Sequence, residues 1–212
     1  MKNNVIKNTV IYCLALLFIG LGTIGSFHYT DEAKNTGENM KELTQSPLGE
    51  LRGILVDANG KLYCGVHDYS RIHVYDNQGD FLYSICINGQ GGDFKFTLDE
   101  DNNVKVATVR NKMLYTFDQD GNLIKTEKNE KAYYDFKTKD DYRLVTKDGV
   151  LYKISNPLWI FPRVSRITAD GQESILVKSD FKAWLSVSAW LFYGVGLLIL
   201  GGGVNKLLRG FR

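Results

Sequence analysis

A 42-residue internal repeat limits the folds open to this chain more than any other feature of it. Residues 56–82 contain Val56-Asp57-Ala58-Asn59-Gly60-Lys61-Leu62-Tyr63 and then Arg71-Ile72-His73-Val74-Tyr75-Asp76-Asn77-Gln78-Gly79-Asp80-Phe81-Leu82. The pattern returns 42 residues later without a gap: Leu98-Asp99 falls on Val56-Asp57, Val104 on Leu62, Leu114 on Ile72, and Phe117-Asp118-Gln119-Asp120-Gly121-Asn122-Leu123-Ile124 on 75–82. Each unit reads as four short strands. Asn59-Gly60 and Asp120-Gly121 supply the positive φ of tight hairpins, and Gln78-Gly79 occupies the second turn of the first unit. The 12 tyrosines and 11 phenylalanines favour the same class, because aromatic rings fit a pleated, half-buried surface. A third unit is expected from Tyr134 and Phe136, which echo Phe94 and Phe96, through 142–146 and 150–154 around Asp148-Gly149. Pro157 and Pro162 interrupt what should be its outer strand. Residues 167–171 and 174–177 then read as a closing hairpin, either a cap or the start of a fourth unit.

Gly60-Lys61-Leu62-Tyr63-Cys64-Gly65, followed by Arg71-Ile72-His73-Val74-Tyr75 and Gly79-Asp80-Phe81-Leu82, resembles a blade of the NHL class of six-bladed β-propellers. Val66 stands where that family usually has Asp, and Tyr69-Ser70 replaces its Asn-His pair. The resemblance is best over 53–87 and implies a fold and a habit of binding partners on one face of the ring, not a reaction. Residues 47–180 hold about three units, whereas closed propellers use about 4–8 blades. One chain does not close a standard ring. Two chains joined as three plus three, an open twisted array, or a partner over an exposed blade face would each resolve the shortfall. A β-sandwich or partly open barrel is the alternative.

The mean hydropathy of −0.20 conceals two apolar ends. Residues 10–27 are uncharged and follow Lys2 and Lys7; as a helix they span roughly 27 Å. Residues 183–204 are also uncharged, span roughly 33 Å, carry Trp184 and Trp190 near their start, and lead into Lys206, Arg209 and Arg212. Both outer flanks are basic, so positive-inside puts both termini in the cytoplasm. Setting those five basic residues apart leaves 21 against 24 acidic ones, so the middle carries about −3 and is expected outside. The predicted organisation is a cytoplasmic N-terminus (1–9), transmembrane helix 1 (10–27), a linker (28–46), the β-repeat domain (47–180), transmembrane helix 2 (183–204) and a basic cytoplasmic tail (205–212). A cleaved signal peptide is the competing reading of the first segment, although no small-x-small site follows it. Gly22 and Ser26 form a small pair in the first segment, with Gly194 and Gly196 near the middle of the second.

The fold class expected is therefore an all-β extracytoplasmic domain of about three four-stranded propeller-like blades, in an incomplete ring, between two transmembrane α-helices. Chemistry is sparse. Cys64 and Cys86 fall on the second and fourth strands of one unit, too far apart for a disulfide, and read as free buried thiols. No C-x-x-C is present, and His28, His67 and His73 lack metal-ligand spacing. Asp99-Glu100-Asp101 and Asp118-Gln119-Asp120-Gly121 do not complete a calcium loop and read as turns. No metal and no cofactor is expected, and the acidic balance disfavours nucleic acid.

The leading expectation is a binding or interaction module without catalysis, a sensor or accessory subunit. Its partners would be the membrane and either a second protein or another copy of itself. The candidate binding residues are His67, Asp68, Tyr69 and Arg71 on one loop. The rival is a surface hydrolase using loop carboxylates, which predicts acidic side chains from different repeats converging on one face.

Overall fold

The structure, a computed structural model, describes residues 2–33, 40–136, 143–146, 149–156, 161–179 and 189–210. The chain divides into a helical unit, Met1–Glu32 with Phe181–Arg212, and a β unit, Ala33–Asp180.

The β unit contains three antiparallel sheets built on one plan. Blade 1 consists of β2 (Leu51–Val56), β3 (Leu62–Val66), β4 (Arg71–Tyr75) and β5 (Phe81–Cys86), in that order across the sheet. Blade 2 is β6 (Phe94–Leu98), β7 (Val104–Thr108), β8 (Met113–Phe117) and β9 (Leu123–Lys128). Blade 3 is β10 (Arg143–Val145), β11 (Leu151–Ser155), β12 (Arg163–Ile167) and β13 (Glu173–Lys178). A fifth strand, β1 (Met40–Glu42), pairs with the outer edge of β5. The sheet thus begins inside the segment 28–46 that sequence alone reads as a linker.

The turns obey a shared chemistry. Asp57 Oδ1 accepts the N–H groups of Asn59 and Lys61 at 2.9 and 2.8 Å. Asp76, Asp99 and Asp118 repeat this pattern with the N–H groups two and four residues on. Such side chains mimic a backbone turn, which accounts for the carboxylate clusters. Gly60, Gly79 and Gly121 close their loops at φ 82°, 91° and 82°, and Asn102 does so at φ 60°. These are turns with a left-handed closing residue rather than two-residue hairpins.

Blade 1 is the central layer. Leu62, Cys64, Val66 and Tyr75 pack against Tyr152, Ile154, Val164 and Val177 of blade 3. The opposite face, with Tyr63, Ile72, Val74 and Ile85, packs against Phe94, Phe96, Val106, Tyr115 and Phe117 of blade 2. Covering both faces explains why β3 and β4 are buried along their whole length instead of alternating. The spatial order is blade 2, blade 1, blade 3, and the two strands expected as a closing cap are the outer half of blade 3. Gly65 makes this layering feasible, since any Cβ there would strike the Arg52 carbonyl of β2 and the Phe96 ring of blade 2. Residues 132–135 form a short helix, α2 (Ala132–Asp135), not the first strand of blade 3 as the Tyr134 and Phe136 echo suggests. Ala132 and Tyr133 cover Ala107 and Leu114 on the far face of blade 2. Cys64 and Cys86 are buried free thiols, as their strand positions predict.

In the helical unit, α1 (Lys2–Ala33) and α3 (Ala189–Gly210) run antiparallel. Gly22 lies against the Ala189 carbonyl and Tyr193, and Gly196 against Ile19 and the Ala15 carbonyl. Small residues let the two backbones approach. Tyr193 donates to Thr23 Oγ1 at 3.0 Å, and Phe18 meets Phe192 at 5.9 Å. Among the described residues no helix is long and apolar enough to cross a membrane. The two transmembrane helices of the expected fold are therefore not established by the fold. Residues 183–188, Pro157 and Tyr142 lie outside the described residues.

Candidate functional site

In blades 1 and 2 the Asp turns lie at one end of the strands, and the β3–β4 and β7–β8 loops lie at the other with the crossing between the blades. At this second end three polar side chains from separate elements converge. β3 runs into a single 3-10 turn, His67–Tyr69, closed by the N–H of Ser70 on the His67 carbonyl with Ser70 at φ 51°. The crossing from β5 to β6 ends at Asp93. Its loop is held by Arg110 Nη1 donating to the Gln90 carbonyl at 2.6 Å and Asn111 Nδ2 donating to the Asn88 carbonyl at 2.8 Å. Asn129 Oδ1 accepts the N–H groups of Lys131 and Ala132, which starts α2 and places Tyr133.

His67 Nδ1 lies 2.6 Å from Asp93 Oδ1, and Tyr133 donates its hydroxyl to Asp93 Oδ2 at 2.7 Å. The imidazole stacks on Phe94 at 4.2 Å and 7°. Lys95 Nζ sits 4.8 Å above the Tyr133 ring and donates to the Phe136 carbonyl. Beside this group, Glu50 donates its N–H to Asp68 Oδ2 at 2.6 Å and accepts the His67 N–H on its carbonyl at 2.9 Å. Arg52 Nε in turn donates to Glu50 Oε1 at 2.8 Å. The His67 side chain keeps 11% of its surface in water and that of Asp93 25%.

Burial holds the His67 imidazole below its ordinary range, against the pull of the Asp93 charge. Burial pushes the Asp68 carboxyl up, with the Glu50 N–H opposing it. At neutral pH the imidazole is uncharged, with Nδ1–H donating to Asp93. That leaves Nε2 as the basic nitrogen, the arrangement in which a carboxylate orients a histidine for proton transfer. Among the described residues no three His, Cys, Asp or Glu side chains are set to hold a metal ion.

The four residues singled out from sequence separate into two pairs. His67 and Asp68 stand in the loop-end cluster. Tyr69 and Arg71 are each 1% exposed: Tyr69 belongs to the core between blades 1 and 3, and Arg71 pairs with Glu42 of β1 at 3.0 Å. The loop stretch 67–71 is thus half surface and half interior. Sequence reasoning passed over Asp93, Tyr133 and Glu50, which lie 26, 66 and 17 positions from His67 and share no local pattern with it.

No family model and no curated protein matches this chain. It is similar to a solved catalytically inactive virginiamycin B lyase from Staphylococcus aureus with quinupristin, at 16% identity over 59% of this chain and 40% of that one, TM-score 0.34. It is also similar to a streptogramin B lyase, at 13% identity over 65% of this chain and 43% of that one, TM-score 0.35. A third is a protein of unknown function from Bacteroides caccae, at 12% identity over 66% and 53%, TM-score 0.34. The chain spans about two fifths of the length of the two lyases. The propeller-like reading rests on the chain's own three blades. Enzymes stand among the proteins it is similar to, and the expectation of a module without catalysis is corrected on the chain's own geometry, a histidine oriented through Nδ1 by a carboxylate.

Proposed function

We propose that this chain is a membrane-anchored extracytoplasmic protein with an NHL-like blade array, and that a surface acid–base reaction takes place at His67. The basic flanks of the two uncharged segments, the acidic balance of the middle and the small-residue contacts between α1 and α3 support the anchorage. One observation carries the reaction. Asp93, arriving from the crossing into blade 2, holds His67 Nδ1 at 2.6 Å while Tyr133 occupies the other carboxylate oxygen. One carboxylate, Asp93, contacts the imidazole, while Asp68 accepts the Glu50 N–H and Glu50 takes Arg52 beside it, so loop carboxylates from two blades lie at the same end of the sheets. In an acid–base role His67 Nε2 takes a proton from the attacking group and returns it to the leaving group, and Asp93 remains ionised and steadies the imidazolium between the two steps.

The second reading is that the chain also serves as a sensor or accessory subunit, with a protein partner or a second copy against the outer blade faces. The exposure of Tyr134 at 74% and of Ile175 at 50% favours it. The test is the full chain in detergent, assayed against ester, glycoside and peptide reporters beside His67→Ala and Asp93→Asn. Turnover lost in both variants with unchanged circular dichroism supports the reaction. Turnover indifferent to both overturns it. For topology, Asn59→Cys in an exposed turn should react with an impermeant maleimide on intact cells, and protection there overturns the extracytoplasmic placement.

A further inference from the structure

The segment that leads into blade 1 is stitched to it by side chains along its whole course. Arg71, His73 and Tyr75 share one face of β4, because alternate residues of a strand point the same way. Each meets a partner from 40–48. Arg71 Nη2 donates to Glu42 Oε2 at 3.0 Å, Ser46 Oγ lies 2.8 Å from His73 Nε2, and Gln45 Nε2 donates to Tyr75 Oη at 3.1 Å. Ser46 and Leu48 are each 2% exposed. Backbone pairing adds Met40 with Cys86, Lys41 with Ile85 and Glu42 with Ser84, and Lys41 Nζ sits 4.7 Å over the Tyr83 ring.

The two ends of this segment meet different parts of blade 1. At its start β1 pairs with β5. At its finish it runs into Glu50, whose carbonyl and N–H clamp the N–H of His67 and the carboxylate of Asp68. Gly49 lies so close to Asp68 that a Cβ there would strike its carboxylate. Glu42 supplies a carboxylate to a guanidinium that is 1% exposed, and withdrawing one member of a buried ion pair is far more costly than a three-residue edge strand would suggest.

We infer that residues 40–48 are a strap that couples the Glu42–Arg71 contact to the His67 turn. Docked, the strap holds Glu50 against His67 and Asp68. Pulled away at Glu42, it withdraws that support and the turn loosens. Loss of the Glu42–Arg71 contact thereby becomes a change in the site. The purpose of the coupling rests on the reading of the site given above, but its geometry does not.

Hydrogen–deuterium exchange of the full chain in detergent tests it, because the amides of His67 and Glu50 are themselves the clamp. Glu42→Gln should raise exchange at 40–50 and at 66–70 together by about tenfold or more, with blade 3 peptides unchanged. Met40→Cys provides the locked state. Met40 and Cys86 are direct antiparallel partners, roughly 4.5–5.5 Å apart at Cα and within reach of a disulfide. Oxidation of that variant should slow exchange at 66–70, and reduction should restore the parent rate. If Glu42→Gln opens 40–42 while 66–70 keeps its protection, the coupling is wrong. A uniform rise over all three blades, or a locked strap that leaves 66–70 unchanged, overturns it equally. None of these readouts depends on turnover, so failure of the acid–base reading stays distinguishable.

Discussion

Acid should unfold this domain through one histidine. His73 is wholly buried on β4 between Ser46 Oγ at 2.8 Å and the Tyr75 hydroxyl at 3.1 Å. Burial, and secondarily the charge of Arg71, lower its pKa to about 3. In the unfolded chain the value returns to about 6.5. Between those two values the unfolded state binds the proton and the folded state does not, so stability is complete above pH 6.5 and falls as the pH drops toward 3. At pH 4.5 the ratio of proton occupancies corresponds to about 3 kcal/mol, a large share of the ~5–15 kcal/mol that stabilises a domain. The comparison is parent against His73→Gln, which keeps an amide between Ser46 and Tyr75 and takes up no proton. Urea unfolding of the full chain in detergent, followed by circular dichroism at pH 7.0 and 4.5, reads the difference. The parent should lose about 3 kcal/mol more than the variant over that interval. Other groups, His67 among them, titrate in both proteins and cancel. Equal losses in the two proteins would refute the reasoning.

Gly79 and Gly171 make a matched pair. Both have positive φ, but a Cβ on Gly79 would strike the Leu176 backbone of blade 3, whereas nothing lies within 4 Å at Gly171. In thermal unfolding, Gly79→Ala should cost about 2 kcal/mol or more and Gly171→Ala about 1 kcal/mol. Asp118→Ala removes the acceptor for the N–H groups of Asp120 and Asn122 and should cost roughly 1–2 kcal/mol, while the parent should show the same Tm with calcium as with a chelator. Burial pushes the Cys64 thiol up and the Cys86 thiol up to about 11, so neither should take up maleimide at pH 7 until urea is added, as read by mass spectrometry.

Blades 1 and 2 were legible in the sequence because their Asp turns and buried strands recur at a constant 42 residues, and a repeat read in register fixes strand count and turn position together. Blade 3 was only half legible. Its turns are opened by Thr146 and Thr168 instead of Asp, and the aromatic echo falls on α2 (Tyr134) and the residue that ends it (Phe136), with the rings of Tyr133 and Tyr134 meeting edge to face. The same aromatic pair serves a strand packed between blades or a helix laid over one, and the choice is made by what remains uncovered on blade 2. β1 escaped notice for a related reason. Three residues carry no periodicity, and the segment holds the sheet through Glu42, Gln45 and Ser46 with Leu48 as its one core apolar side chain.

The candidate site shows the same division between what is local and what is not. His67-Asp68 invites pairing along the chain, yet Asp68 turns to the Glu50 amide and the imidazole takes Asp93 instead. Adjacent residues in a 3-10 turn point to different sides, so the nearer carboxylate is the one His67 cannot use. Asp93 is supplied because blade 2 stacks on blade 1, and Tyr133 because α2 closes the far face of blade 2. Each layer of the fold delivers one member of the constellation. Loosening the Phe94 and Phe96 contact between the blades should therefore disturb His67 before it disturbs any strand pairing, since the stacked Phe94 ring is shared by the core and the site.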